Sequence, residues 1–493
     1  MDQGKKYFKQ ISHYFSGHIL VRAFGLISMP ILTRVLDVSE YGILGLVTST
    51  IMIGVLISKL GLQQSVIRFY PEFKFDDEEK SASVFYSTFF SAGLVMGIIG
   101  SVIFFFITQT IISEMLGHQA VRILSFAWIL IGMGCTSAFL TIFLRAEQKT
   151  KLYNLLVVGI RIGSFFFSFF FLFYVFKGLT GYFIGSVLSA GLATILLVRI
   201  VLAGKEVSLK KFSLPLLKKA IMYGFPLTIL EISHSILNFG DRYVIKYYLN
   251  AHELGLYSAA YTIAMEVIEV IDYPILSTVP VLYFELWNRE GREGVQNLLR
   301  KGLKYYSLVV IPVMFGVIAL SKELIIIIAS NKYAGSAEIV PYITIGGVIF
   351  TSSTFFSAGL YIYKKSIIPS FIMMISASIN MVLNFILVPR YGLIGSAVAT
   401  LIGYTSYVII IIPISFKYVS YRPDFKAMAR YASYAVVMFI SINEIHILNP
   451  FSSLVVKISI GILIYSGFVL LLEREIREVV LKYFFPNRKK YQV

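Results

Sequence analysis

Five ionisable or polar residues interrupt one long apolar stretch, and their spacing gives them a common helix face. The stretch runs from Pro226 to Tyr247, and the five residues are Glu231, His234, Asn238, Asp241 and Arg242. Offsets of three, seven, ten and eleven from the first of them place all five along one side of an α-helix. A charge in the middle of a bilayer costs about 2.5–3.5 kcal/mol, so such a row is expected to face other helices or water. The row predicts a polar pathway inside a bundle of helices.

Three other apolar stretches carry charged residues. Glu266, Glu269 and Asp272 repeat every three residues and share a face, His18 and Arg22 lie one helical turn apart, and Arg161 lies near the middle of its stretch. Pairing or hydration must offset the transfer cost of so many charges. Because carboxylates outnumber arginines, some acids are available to carry protons or cations. The candidate ion-coupling or pathway residues are Glu231, His234, Asp241, Glu266, Glu269 and Asp272.

The composition indicates that membrane-spanning helices position these residues. The 493 residues are 57% hydrophobic and only 14% charged, with a mean hydropathy of +0.78. Soluble domains contain roughly 25% charged residues, so the chain is predicted to be an all-α polytopic membrane protein. We predict about fourteen transmembrane helices, at residues 13–34, 41–58, 82–108, 120–143, 152–176, 179–200, 220–246, 255–283, 305–329, 337–361, 366–388, 393–416, 428–448 and 452–472.

The distribution of basic residues predicts the orientation of these spans. Of 44 Lys and Arg residues, those predicted on the side opposite the termini are only Arg34, Lys177, Lys246, Lys322, Lys332 and Arg390. The positive-inside rule therefore predicts that both termini are cytoplasmic, and the net charge of +17 serves orientation and not nucleic-acid binding. No cleavable signal peptide is expected, because residues 1–10 are polar and basic and no small-residue cleavage site follows them.

An internal repeat predicts two lobes. Glu40-Tyr-Gly42 recurs as Glu253-Leu-Gly255, with Asp37 matching Asn250, at an offset of 213 residues, and Gly178-x-x-Gly181 recurs as Gly392-x-x-Gly395. Both copies start on the same side, so the repeat is parallel, with a pseudo-two-fold axis along the membrane normal. The predicted division is an N-lobe of six helices (1–203), a basic cytoplasmic linker (204–219), a C-lobe of six helices (220–417), and two further helices with a cytoplasmic tail (418–493).

Residues outside the polar row have simpler interpretations. Glu285–Lys304 is predicted to be an amphipathic helix on the inner leaflet, and Lys457, near a span end, is expected to extend toward the membrane surface. The chain has no zinc motif, no nucleotide-binding loop and no plausible catalytic triad, so we expect neither a cofactor nor a metal site. The predicted loops leave no room for a catalytic domain outside the membrane.

Three motifs resemble those of a known family. They are Pro30-x-x-Thr-Arg34-Val-Leu-Asp-x-x-Glu40-Tyr-Gly42, Gly240-Asp241-Arg242-Tyr-Val-Ile, and Glu253-Leu-Gly255-Leu-Tyr257-Ser-Ala-Ala-Tyr261. They resemble the polysaccharide transporters, the Wzx-type flippases of the multidrug/oligosaccharidyl-lipid/polysaccharide (MOP) superfamily, along essentially the whole chain. The resemblance implies movement of undecaprenyl-diphosphate-linked oligosaccharide, such as an O-antigen, capsule or exopolysaccharide repeat unit, to the outer leaflet by alternating access.

The resemblance also implies roles for individual residues. It matches Arg22 and Arg242 to cations that meet the lipid diphosphate. Together with candidates from the polar stretches, the predicted substrate-binding or cavity residues are Arg22, Arg161, Arg242, His18 and Asn238. The implied location is the inner (plasma) membrane, and the implied partners are membrane lipids, glycosyltransferases and a glycan polymerase. Two other functions stay open on the residues alone: a cation-coupled multidrug exporter of the same fold, and a membrane enzyme, which the short outer loops disfavour.

Overall fold

The computed structural model describes residues 24–25, 27–74, 79–112 and 118–478, which are helical over most of their length and contain no strand. A helical segment ends at residue 35, ahead of the first complete helix. The helices are α1 (Val38–Lys59), α2 (Leu62–Lys74), α3 (Glu79–Ile107), α4 (His118–Ala146), α5 (Thr150–Phe170), α6 (Leu179–Val201), α7 (Leu214–Tyr248), α8 (Ala251–Ala319), α9 (Ser321–Leu324), α10 (Val340–Ile362), α11 (Ile367–Phe416), α12 (Phe425–Asn443) and α13 (Pro450–Leu472). Short π-helical turns follow α3, α5 and α9, and 3₁₀ turns precede α7 and α10.

Ten helical stretches in the described residues are long and apolar enough to cross a membrane. Two of them are too long for one crossing, since α8 has 69 residues and α11 has 50, whereas about 20 suffice for a bilayer. Each breaks at a glycine with positive φ, Gly291 at 65° and Gly392 at 57°, a conformation that favours glycine. The prediction of an all-α, multi-pass membrane protein is confirmed. The predicted span at 13–34 lies mostly outside the described residues.

The chain forms two compact units. Of the described residues, those up to 258 and those at 367–399 form unit 1, and those at 259–366 and from 400 onward form unit 2. A cluster of buried aromatic and aliphatic residues that includes Phe85, Phe89 and Phe143 forms the core of unit 1, and one that includes Leu299 and Phe355 forms a core of unit 2. These units are defined by packing, whereas the lobes were predicted from the sequence repeat. The division into lobes therefore remains a prediction.

The repeated residues have the same local structural roles in both copies. Asp37 is the N-cap of α1 and forms a capping box with Glu40, while the side chain of Asn250 accepts a hydrogen bond of 2.9 Å from the backbone N–H of Glu253 ahead of α8. Part of the repeat is therefore a pair of helix starts.

The connection between α6 and α7 is anchored to the helices beside it. The backbone N–H of Ser208 donates to the Ser87 hydroxyl at 3.0 Å, and that of Ser213 donates to the Thr88 hydroxyl at 2.9 Å. The carboxylate of Glu147 is also bound by Lys205 in this connection. The basic residues of the predicted linker therefore lie on a segment that is tied down at several points.

The prediction that Glu285–Lys304 lies on the lipid surface is wrong. Val295, Leu299 and Leu303 form its apolar face and are at most 2% exposed, because they pack into the core of unit 2. Gln296 also donates a hydrogen bond of 2.6 Å to the carbonyl oxygen of Ser420. The stretch is also not one helix, because it breaks at Gly291, and after the break protein, and not lipid, covers the apolar face.

Candidate functional site

Helix α7 presents the predicted polar row and is held against α1 and α2 of the same unit. The hydroxyl groups of Tyr243 and Thr50 lie 2.6 Å apart, and Ser65 donates to the carbonyl oxygen of Ala220 at 2.7 Å. These bonds connect α7 to α1 and α2 near both of its ends. Since α7 is fixed in this way, the orientation of its polar row is also fixed.

The first half of the row is accessible. The Gln64 amide of α2 donates a short hydrogen bond to the carboxylate of Glu231, which is half-buried. His234 is exposed, and the Asn238 amide lies 3.1 Å from its ring nitrogens and 2.8 Å from its carbonyl oxygen. A titratable ring thus lies open near the middle of a spanning helix.

The second half of the row is buried and bonded within the protein. Asp241 is 0% exposed, and the hydroxyl of Tyr257 on α8 donates to its carboxylate at 2.5 Å. The Arg242 guanidinium lies 3.6 Å from the Asp241 carboxylate, donates to the Asn238 carbonyl at 2.7 Å and lies over the Phe239 ring. The structure therefore divides the row into an accessible part and a buried ion pair within α7, and the hydrogen bond from Tyr257 to Asp241 joins that pair to α8.

Arg161 is the predicted cation that the structure leaves most open. It lies near the middle of α5, and its side chain is exposed. It borders a small cavity with Ser28, Ser164 and Tyr182, and no carboxylate of the described residues forms an ion pair with it. The two glycines nearest to it, Gly159 and Gly163, have open space beside them. An exposed guanidinium that has no ion-pair partner among the described residues can attract an anion.

The three acids of the second predicted cluster belong to unit 2 and differ from one another. Asp272 is 2% exposed, and its carboxylate accepts a short hydrogen bond from the Thr351 hydroxyl and one of 3.3 Å from the Tyr306 hydroxyl. Glu266 and Glu269 are half-buried on the same helix. The structure thus assigns this cluster and the α7 row to different units. The predicted residues His18 and Arg22 lie outside the described residues.

The sequence pattern did not identify one ion pair inside unit 2. Lys457 is buried and lies 2.7 Å from the carboxylate of Glu323, which also accepts a hydrogen bond of 2.9 Å from Ser453. The expectation that Lys457 extends to the membrane surface is wrong, because its ammonium group is neutralised beside an apolar groove of about 630 Å³. The two charges are 134 residues apart, so no local spacing connects them.

Tyr257 is another residue that the pattern missed. A tyrosine in an apolar helix is usual, and only the position of Asp241 opposite its hydroxyl reveals its role. Among the described residues, no group of three or more His, Cys, Asp or Glu side chains has an arrangement that could hold a metal ion.

Comparison with known sequences connects this site to a family. The family described as "Polysaccharide biosynthesis protein" matches residues 8–283. The chain is 26% identical over 199 residues to an uncharacterized membrane protein of Methanocaldococcus jannaschii. The matched region covers 39% of this chain and 38% of that protein. It is 20% identical over 278 residues to the probable low-salt glycan biosynthesis flippase of Haloferax volcanii, covering 56% and 58%. The chain thus spans less than two thirds of either relative.

Solved structures show the same fold. The lipid II flippase MurJ in an inward closed conformation superimposes with a TM-score of 0.75 at 17% identity, covering 94% of this chain and 99% of that one. An inward-facing multidrug resistance MATE family transporter of the MOP superfamily gives a TM-score of 0.63 at 14% identity, covering 83% and 98%. The predicted MOP-type fold is confirmed.

Proposed function

We propose, because the chain belongs to the polysaccharide biosynthesis protein family, that it is a transporter that moves a lipid-linked oligosaccharide from the inner to the outer leaflet by alternating access. The Haloferax volcanii relative is named a probable glycan biosynthesis flippase, which supports this substrate class. The protein would accordingly be a carrier and not a catalyst.

Two exposed ionisable side chains near the middle of spanning helices, Arg161 and His234, carry this proposal. If they faced lipid, each charged form would cost about 2.5–3.5 kcal/mol. A hydrated pathway or an anionic ligand removes that cost. A lipid diphosphate supplies negatively charged oxygens that match the planar fork of a guanidinium group. A neutral drug would not compensate Arg161 in this way.

The predicted binding residues would have different tasks. Arg161 would contact the headgroup directly, because it is open and has no ion-pair partner in the described part of the chain. Arg242 would contribute positive potential from a fixed position, since Asp241 and the Asn238 carbonyl already hold it. Asn238 would orient the ring of His234. His18 and Arg22 belong to the proposed set on the sequence alone.

The predicted coupling residues would also differ in their tasks. Glu231 and His234 are the accessible members on α7, so we assign proton or cation exchange to them first, with Glu266 and Glu269 as their counterparts in unit 2. Asp241 and Asp272 are buried and bonded to hydroxyl groups. We assign them the positioning of helices around the pathway.

We propose a biological setting that is consistent with this family. The cargo would be a repeat unit of O-antigen, capsule or exopolysaccharide on undecaprenyl diphosphate. The protein would reside in the plasma membrane with both termini in the cytoplasm, as the positive-inside rule predicts. Glycosyltransferases would supply the cargo and a glycan polymerase would consume it.

Flipping by purified protein tests this proposal. Proteoliposomes are loaded with a fluorescent polyprenyl-diphosphate-linked oligosaccharide, and its exposure to an external reagent is followed over time. Arg161→Gln should reduce the flipping rate to near background, because an amide cannot replace a guanidinium cation. The matched control is Arg199→Gln, which removes an exposed arginine from the last turn of α6 in the same unit. Equal flipping by wild type and Arg161→Gln would contradict the proposed role of Arg161.

A cation-coupled multidrug exporter is the second candidate, because a MATE family transporter shares the fold. Its carboxylates would couple drug export to proton or sodium entry. Overexpression should then raise drug resistance, and deletion should leave surface glycan unchanged. Loss of surface glycan on deletion, without a change in drug resistance, would favour the flippase.

A further inference from the structure

We propose that unit 2 carries a binding site for the phosphate headgroup of an anionic lipid in a recess whose lining contains none of the predicted pathway residues. The recess has a volume of about 930 Å³. It lies between the part of α8 that follows the break at Gly291 and the segment that joins α11 to α12. Its lining includes Glu293, Arg300, Tyr421, Arg422 and Phe425. Both segments belong to the side that the basic residues predict to be cytoplasmic.

The walls of the recess are fixed before any ligand arrives. The Gln296 amide binds the Ser420 carbonyl at 2.6 Å and ties the two segments together. The Tyr421 ring is 8% exposed, and it stacks on Phe356 at 6.2 Å with an interplanar angle of 12°. The Asp424 side chain accepts from the Ala427 N–H at 3.0 Å and caps α12. A site that is ordered in advance loses little entropy when it binds.

The two arginines of the recess differ from neighbouring basic residues. Arg430 forms two hydrogen bonds with Glu473, and Lys304 lies 2.5 Å from Glu475. Among the described residues, Arg300, in contrast, bonds only to the side-chain oxygen of Asn297, at 3.1 Å. Arg422 has no hydrogen bond or ion pair with a described residue. Both guanidinium groups therefore retain donors for an anion, and phosphate oxygens match their geometry.

The mouth of the recess has the character of a membrane interface. Phe425 is 67% exposed at the first position of α12, and Lys426 beside it is also exposed. Aromatic and basic side chains at helix ends anchor a protein at headgroup level. Anionic lipids of the cytoplasmic leaflet concentrate at clusters of basic residues. The chemistry thus points to a lipid phosphate, supplied either by a resident phospholipid or by a polyprenyl diphosphate.

Lipid binding to the purified protein, measured by native mass spectrometry, tests this site without requiring transport. Arg300→Gln/Arg422→Gln should bind phosphatidylglycerol at least about tenfold more weakly than wild type, because charge-assisted hydrogen bonds are lost. The matched control is Lys364→Gln/Lys365→Gln, which removes two exposed charges from another predicted cytoplasmic loop and should bind as wild type does. Glu293→Gln should bind more tightly, since it removes the one acid of the lining.

The choice of lipid identifies the source of the phosphate. Arginine-dependent binding of phosphatidylglycerol alone would assign the recess to a resident lipid, and arginine-dependent binding of a short polyprenyl diphosphate alone would assign it to cargo entry. Equal binding of phosphatidylcholine and phosphatidylglycerol by wild type would overturn the proposal, as would equal lipid affinity of the double arginine variant and its control. The proposal is separate from flipping, so a failure of either leaves the other testable.

Discussion

Unit 1 and unit 2 both carry charges inside spanning helices, but they compensate those charges in different ways. In unit 2, Lys457 pairs with Glu323, and Asp272 is bonded to two hydroxyl groups. Unit 1 also has one buried ion pair, Asp241 with Arg242, but Arg161 and His234 near the middle of its helices are exposed. The cost of a charge in lipid is the same in both units. The difference therefore separates charges that hold the fold from charges that are available to a ligand.

The largest effect on stability is expected at the ion pair of unit 2. Lys457→Met leaves the Glu323 carboxylate without its partner, which should lower the free energy of unfolding by about 3 kcal/mol. Thermal unfolding in detergent measures the change. The double variant Glu323→Gln/Lys457→Met should recover most of the loss, since it removes both charges. If the single variant is as stable as wild type, the ion pair of Lys457 does not stabilise the folded protein.

A smaller loss is expected at Asp272. Asp272→Ala removes an acceptor of the Thr351 and Tyr306 hydroxyl groups and should lower the free energy of unfolding by about 2 kcal/mol, because Thr351 loses its hydrogen bond to Asp272 and, among the described residues, Tyr306 keeps only the Val348 carbonyl oxygen. Asp272→Asn retains one acceptor oxygen and should cost less. The unfolding temperature should be highest for wild type, lower for Asp272→Asn and lowest for Asp272→Ala. An Ala variant that unfolds above the Asn variant would be inconsistent with this network.

A third loss is expected at Glu147, in the connection between α4 and α5, and should depend on pH. Burial raises the pKa of Glu147, but hydrogen bonds from Lys149, Lys205 and Tyr86 outweigh it and hold the pKa below its ordinary value of 4.5. Its carboxylate therefore stabilises the fold above pH 4.5 and loses that effect as the pH falls through the lowered pKa. Glu147→Gln should lower the free energy of unfolding by about 1 kcal/mol at pH 7.

The stability difference between wild type and Glu147→Gln should shrink as the pH drops below 4.5. Unfolding midpoints of both proteins at a series of pH values measure this difference. Lys151→Gln is the control, because it removes a nearby exposed charge and should show no such trend. A difference that is constant from neutral pH to pH 3 would argue against the ion-paired carboxylate.

The smallest effect on stability is expected at Arg161. Arg161→Gln should change the free energy of unfolding by no more than about 0.5 kcal/mol, because no partner in the described part of the chain is left unpaired. Flipping should nevertheless be lost, as proposed above. A destabilisation as large as that of Lys457→Met would show that Arg161 also holds the fold, and the contrast between the units would disappear.

Local sequence signals account for much of the fold. Apolar stretches predicted most of the membrane-spanning helices. A helix that crosses a bilayer needs about 20 apolar residues, and this requirement does not depend on which other helices surround it. The matched pair Asp37 and Asn250 marked two helix starts, since a capping side chain acts on the backbone a few residues away. Gly291 and Gly392 lie where loops were predicted, and there the backbone adopts positive φ.

Partners distant in the sequence account for what the pattern could not give. The spacing placed the five polar residues on one helix, α7, but it could not show that Tyr257 lies against a buried Asp241 while His234 is exposed. The apolar residues after Gly291 do share a face, but their pattern could not distinguish a lipid surface from the core of unit 2. Periodicity identifies a face, and only tertiary packing identifies what covers that face.

Labelling of single cysteines tests most directly whether the exposed charges of unit 1 lie on a hydrated pathway. Cys135, the one native cysteine, is buried and is replaced by serine first. Arg161→Cys and His234→Cys should then react with a charged, membrane-impermeant thiol reagent, whereas Lys457→Cys should not. Reaction of positions 161 and 234 with lipid-soluble reagents alone would mean that both face lipid, and it would contradict a polar transport pathway.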